Sequence, residues 1–210
     1  MSNITGRMIA FLFLTLYPQP MSKYQPFAVG ELQPLFARIL GPAWERLAPQ
    51  LREMHNVTHM LEAGGGARII RGSSPLARFG CWLMGFPPAG EDVPVRVHFA
   101  VREGVETWTR NFGGHRFRSR QYFASASPPA VTERFGPLRF TMTLTPDGDR
   151  LVLGLRGWSM FRVPLPLALA VRMEAYETVE DGKFLFNVRV WHPLAGPIIH
   201  YRGWLVPELH

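Results

Sequence analysis

The residues of this chain that could do chemistry gather on strand-like stretches where arginine alternates with aromatic rings. From Val105 to Phe112 the period is two, so Glu106, Trp108, Arg110 and Phe112 share a face opposite Thr107, Thr109 and Asn111. Arg202 and Trp204 repeat the pairing near the C-terminus. A guanidinium among rings has two uses. It can pair with a carboxylate and lock strand register, the acids within reach of such faces being Glu106, Glu133, Glu174 and Glu177. It can also hold the anionic head group of a ligand while the rings line an apolar pocket. The ion pair is the favoured reading for any single arginine, and a ligand site is expected for at least one of them. The candidate ligand-binding residues are therefore Trp108, Arg110, Phe112, Glu133, Arg202 and Trp204, provided that their faces point inward.

Other chemistry is thinly represented. His55 and His59 are four apart but lack the glutamate of a zinc-protease helix, so no metal site is assigned. There is no nucleophile elbow, no Walker loop and no dinucleotide-binding glycine pattern. Gly64-Gly65-Gly66 leads into no helix and reads as a bulge or kink in a strand. The single cysteine, Cys81, lies in Phe79-Gly80-Cys81-Trp82-Leu83 and is expected to be an inert buried thiol. No catalytic residue and no cofactor is assigned.

The net charge of +7 over 210 residues brings nucleic acid and anionic membrane into consideration. Arg116, Arg118 and Arg120 share one face beside Tyr122, and that face is either solvated or meets an anionic partner. A recognition helix and an aromatic RNA-binding signature are both missing, which argues against nucleic acid. Peripheral membrane contact and a cytoplasmic location remain the expectations. The apolar run at residues 8–17 is too short to span a bilayer, and Tyr17-Pro18-Gln19-Pro20 replaces a signal-cleavage pattern. Residues 1–20 read as an extension ahead of a start at Met21, with an interfacial anchor as the alternative, and residues 21–210 read as a single β-rich domain.

The elements that must position the arginines follow from periodicity. Leu35, Ile39, Leu40, Leu47 and Leu51 predict helices, broken at Gly41-Pro42 and again near Pro49. A further helix over 74–85 has Ser73 or Ser74 as cap, Pro75 in its first turn and Gly85 at its end. From residue 93 onward alternating strands are separated by turn signals at Glu103-Gly104, Gly113-Gly114, Pro146-Asp147-Gly148 and Asp181-Gly182. Residues 158–170 show no clean period and read as an apolar crossover, with room for a helical turn near 166–169. The fold class is α+β and mainly β: N-terminal helices cover a barrel-like or strongly curved antiparallel sheet of about eight or nine strands.

The motifs Leu51-Arg52-Glu53-Met54-His55, residues 86–99, Trp108-x-Arg110-x-Phe112-Gly113-Gly114 and residues 133–140 occur in order. Val163-Pro164-Leu165-Pro166, residues 180–188 and residues 201–205 follow them. Together they resemble a bacterial domain-of-unknown-function family, number 4166, over roughly residues 35–207. Members resembling this chain stand alone or are fused behind oxidoreductase-like domains, so the resemblance implies an oxidoreductase-like partner. It supplies no functional residues. The expected function is binding of a hydrophobic or lipid-like small molecule with an acidic group inside a barrel-like pocket. The alternatives are an enzyme acting on such a molecule, with Glu133 or His98 as acid–base residue, and a non-catalytic interaction module.

Overall fold

Two prolines and a glycine cut the N-terminal helical pattern into three short pieces. Helix α1 (Leu35–Leu40) buries Leu35, Phe36, Ile39 and Leu40. Gly41, at φ +53, ends it, and Gly41–Arg46 continues as a 3-10 helix where the spacing alone predicts an α-helix. The α-helical path resumes at Pro49 as α2 (Pro49–His55), which buries Leu51, Met54 and His55. Proline lacks an N–H and is tolerated in a first turn, where that donor has no intrahelical partner. The computed structural model describes residues 33–208, so the extension expected over residues 1–20 lies outside the described residues. Among those described, no helix is long and apolar enough to cross a membrane.

The strands are β1 (Met60–Arg71), β2 (Gly90–Arg102), β3 (Val105–Phe112), β4 (His115–Ala124), β5 (Ala130–Phe135) and β6 (Leu138–Asp147). They are followed by β7 (Arg150–Met160), β8 (Val163–Leu165), β9 (Arg172–Glu180), β10 (Lys183–His192) and β11 (Gly196–Pro207). Each of β1 to β7 pairs with its sequence neighbour, β7 also pairs with β9, and β11 returns to β1. The result is a closed antiparallel barrel of ten strands, with β8 folded back on the end of β7. Closure removes the unpaired edges that an open sheet of this size would expose.

The count exceeds the expected eight or nine, and β7 also runs further than its pattern suggests. Its register against β6 shifts between Thr141 and Met142. Leu153 and Leu155 point inward before that irregularity, and Trp158 and Met160 point inward after it. A bulge inserts one residue and so switches which parity faces the interior, which erases the period. Of the stretch expected to be a crossover, the helical turn is present as a 3-10 turn at Leu167–Leu169, whereas the rest is the end of one strand and a hairpin.

Helix α1 packs against β4, β5 and β6, whereas α2 packs against β9, β10 and β11. Those strand sets lie on opposite sides of the ring, so residues 35–55 cross one end of the barrel and plug it. Helix α3 (Pro75–Met84) joins the end of β1 to the start of β2 and therefore sits at the other end. Ser74 caps it, its Oγ accepting from the Ala77 N–H at 3.1 Å, and Gly85 closes it in the left-handed conformation at φ +67.

The triple glycine marks a close approach. A Cβ on Gly65 would stand 1.9 Å from the backbone oxygen of Trp204, and one on Gly203 would stand 2.1 Å from that of Gly66. The register irregularity against β2 follows directly, between Ala67 and Ile69. Backbone oxygens cannot swing aside as side chains can. Gly65→Ala should therefore lower stability by about 1–3 kcal/mol in urea denaturation. An unchanged midpoint would mean that β1 and β11 can part without loss.

Candidate functional site

Strand alternation decides what the barrel interior contains. Val95, Val97 and Phe99 of β2, Phe112 of β3 and Phe117 of β4 are buried against one another on one wall. On the facing wall Leu153 and Leu155 of β7, Met173 of β9, and Phe186 and Val188 of β10 are only half-buried. They leave a cavity of about 260 Å³. Met54 of α2, fully buried, forms part of its lining at the plugged end. At the other end Leu83 and Met84 of α3 line it, together with Leu169 of the 3-10 turn. Leu169 is 59% exposed, so the cavity reaches the surface there. The ring is also thinnest at that wall. Strands β7 and β9 share only the pairs Leu151–Glu177, Val152–Tyr176 and Leu153–Ala175, the shortest contact in the barrel.

A polar cluster sits on the well-packed wall. Arg110 donates to Ser119 Oγ at 2.7 Å and to Glu133 Oε1 at 3.1 Å. Its guanidinium lies 4.6 Å from the Trp108 ring centroid and 5.4 Å from that of Phe117. Trp108 Nε1 donates to Glu106 Oε1 at 2.6 Å. The second carboxylate oxygen of Glu106 has no protein partner, and neither has Oε1 of Gln121, although both are buried. Burial pushes the Glu106 carboxyl up to about 7, against opposing pulls from His55, the Trp108 hydrogen bond and Arg110. Burial likewise pushes the Tyr201 hydroxyl up to about 12, so it is a neutral group on the cavity wall.

A second cluster seals the plugged end. His55 Nε2 and Glu177 Oε2 are 2.6 Å apart, joining α2 to β9 across 122 residues of sequence. The imidazole stacks on Phe36 with centroids 3.8 Å apart, and the Phe184 ring meets it edge-on at 5.9 Å. His55 is fully buried while His59 is exposed, so the two histidines share no site.

Four of the candidate residues come together. Trp108, Arg110, Phe112 and Glu133 all line the cavity. Arg202 and Trp204 do share a face, but it is the outer one. The inner face of β11 is Tyr201, Gly203 and Leu205, and Lys183 lies over the outward Trp204 ring at 4.6 Å. Alternation groups residues by face without saying which face is inside, and here the larger ring went outside. Of the acid–base candidates, Glu133 is paired with Arg110, and His98 is on the exterior, 4.0 Å from Glu62. Arg116, Arg118 and Arg120 form an exposed outer face. Sequence reasoning missed Gln121 as an inward polar group on the cavity, and it missed His55–Glu177. Gln121 was legible from its alternation with Phe117 and Ser119. The His55–Glu177 contact carries no local signal.

Comparison with known proteins adds the following. No curated protein matches the chain. The crystal structure of Rv2717c from M. tuberculosis aligns with 78% of this chain and 99% of its own, at 17% identity and a TM-score of 0.42. A Thermobifida fusca YX structure whose name proposes a thioesterase II aligns with 70% of this chain and 79% of its own, at 10% identity and a TM-score of 0.21. Both scores are too low to carry an argument. The family model described as "Domain of unknown function (DUF4166)" matches residues 47–205, which span β1 to β11 almost entirely and both ends of the cavity, and the chain belongs to that family.

Proposed function

We propose that the barrel holds an apolar small molecule of lipid-like character. The observation that carries this is the unfilled interior, whose walls on β7, β9 and β10 are aliphatic and aromatic side chains left half-buried. A packed barrel of this size would fill that space with its own side chains. The acidic group expected on the ligand is dropped from this reading, because Arg110 is already met by Ser119 and Glu133. An entering acid would also face the carboxylates of Glu133 and Glu177. The open position is the acceptor Oε1 of Gln121, which suits a neutral hydrogen-bond donor such as a hydroxyl or amide N–H. Catalysis is less well supported, since Glu106, the carboxyl held near neutrality, does not itself line the cavity.

Native mass spectrometry with organic extraction, paired with uptake of the neutral probe N-phenyl-1-naphthylamine, tests this. The expected result is a co-purifying apolar molecule or saturable probe binding. Leu155→Trp, which fills the cavity, should abolish either without loss of folding. Neutral long-chain alcohols should displace the probe better than the matching fatty acids. Absence of both bound molecule and probe uptake overturns the proposal.

A further inference from the structure

The two ends of the barrel differ in a way that ligand storage does not require. In an antiparallel ring successive connections alternate between ends. Helix α3, the β7–β8 hairpin with its following 3-10 turn, and the β10–β11 turn all fall at the end opposite the plug. Direct contacts tie α3 to the β10–β11 turn and the hairpin to the β5–β6 turn. Ser74 Oγ donates to the Ala195 oxygen at 2.6 Å, and Phe161 N–H donates to the Pro137 oxygen of the β5–β6 turn at 3.0 Å.

This end is apolar and exposed. On α3, Phe79 and Trp82 are 57% and 73% exposed, with ring centroids 5.7 Å apart. On the hairpin and 3-10 turn, Phe161, Val163 and Leu167 are exposed, and Leu194 on the β10–β11 turn is 81% exposed. Single exposed apolar residues are ordinary, but three connections presenting them at one end form a patch. The hairpin tip is built for it at a conformational cost. Phe161 and Arg162 sit at φ +50 and +70, positions where glycine or asparagine is usual. A ring and a guanidinium are held outward there instead.

The charges at this end are complementary to an anionic surface. Residues 72–89, 158–173 and 192–200 contain no aspartate or glutamate. They contribute Arg78, Arg162 and Arg172, all exposed. Arg116, Arg134 and Arg139 flank the neighbouring β3–β4 and β5–β6 turns. The acids at this end are Glu91, held by Arg68 at 2.8 Å, Asp92, and Glu174, exposed two residues beyond Arg172. The plugged end is mixed in sign, with Glu103, Asp147, Asp149, Glu180 and Asp181 exposed in its turns beside exposed Arg102, Arg150 and Lys183. Apolar side chains that insert shallowly, ringed by arginine, are the pattern of an interfacial membrane contact.

We infer that the open end of the barrel docks on a lipid bilayer bearing anionic head groups, with Phe79, Trp82 and Phe161 inserted and Arg78, Arg162 and Arg172 at the phosphates. The cavity would then open toward the acyl chains, and the plugged end would face water. This inference stands on the surface and does not depend on what the cavity holds.

The experiment is co-sedimentation of the full chain with vesicles of phosphatidylcholine alone and of phosphatidylcholine mixed with phosphatidylglycerol. Binding is expected to the mixed vesicles and to weaken as salt is added. Serine at Arg78, Arg162 and Arg172 together should weaken it on the order of a hundredfold. The variant Phe79→Ser, Trp82→Ser, Phe161→Ser should lose binding while keeping its thermal midpoint, since all three side chains are exposed. Brominated acyl chains should quench tryptophan emission in the wild type and less so in Trp82→Phe. No binding to the anionic vesicles overturns the inference. So does equal binding by the serine variant, which would move the contact to another part of the chain. Self-association through this face in place of vesicle binding, seen as a concentration-dependent dimer that the serine variant lacks, also overturns it.

Discussion

Arg110→Met should lower folding stability by about 3–5 kcal/mol, whereas the double variant Arg110→Met, Glu133→Leu should recover most of that loss. Removing the guanidinium leaves the Glu133 carboxylate in the barrel interior without its partner at 3.1 Å, and removes the donor to Ser119. It also takes away the cation that lies over Trp108 and Phe117. Removing both charged groups takes away the attraction and the desolvation penalty together, and two apolar side chains of similar volume can pack against Phe117 and Trp108. At about 2–4 °C per kcal/mol for a chain of this size, the single variant should melt roughly 10 °C lower. Urea denaturation of wild type, both singles and the double completes the cycle. A single variant within about 1 kcal/mol of wild type would mean that water reaches Glu133 and that the pair is a surface ion pair in energetic terms.

The second large effect is a pH dependence written by Glu106. Its folded value is about 7, against an ordinary 4.5, and burial is the main cause. The folded state therefore binds this proton more tightly than the unfolded chain does. The sign follows from linkage. The contribution is fully present below about pH 4.5 and is lost as pH rises through about 7. The difference corresponds to on the order of 3 kcal/mol between the two limits. Glu106→Gln keeps an acceptor for the Trp108 indole at 2.6 Å but cannot ionise. The variant should match wild type near pH 4 and exceed it in stability near pH 8. Parallel stability curves for the two proteins across that range would show that Glu106 ionises freely in the barrel.

Much of this architecture could be read from spacing. The faces Glu106/Trp108/Arg110/Phe112 and Phe117/Ser119/Gln121 came from a period of two, and both point inward. The turn residues at Gly113-Gly114, Gly148 and Gly182 lie where the chain reverses with positive φ. What local pattern could not supply was sidedness and closure. Arg202 and Trp204 look like Arg110 and Trp108 in sequence, yet a single face assignment of β11 puts them outside. The bulge in β7 hid its own far half by switching parity in mid-strand. The cavity itself is a property of the whole ring. It exists because the inner side chains of β7, β9 and β10 fall short of the facing wall, and no window of sequence reports that.

The pairing of β1 with β11 has a consequence for how the chain reaches this state. Residues such as Ala63 and Pro207, or Gly66 and Trp204, become neighbours only when nearly the full length of the domain has been made. As the polypeptide emerges, the meander can grow strand by strand from β1, but the outer edge of β1 stays open throughout. Its Met60–Arg71 backbone is long and glycine-bearing, and it waits for residues 196–207 with hydrogen-bonding groups free. That interval is when the nascent barrel is most exposed to strand addition from other chains. Its length is set by synthesis rather than by the intrinsic speed of folding. The last twelve-residue strand thus acts as the clasp of the fold, and a cell would feel slow translation through it as aggregation.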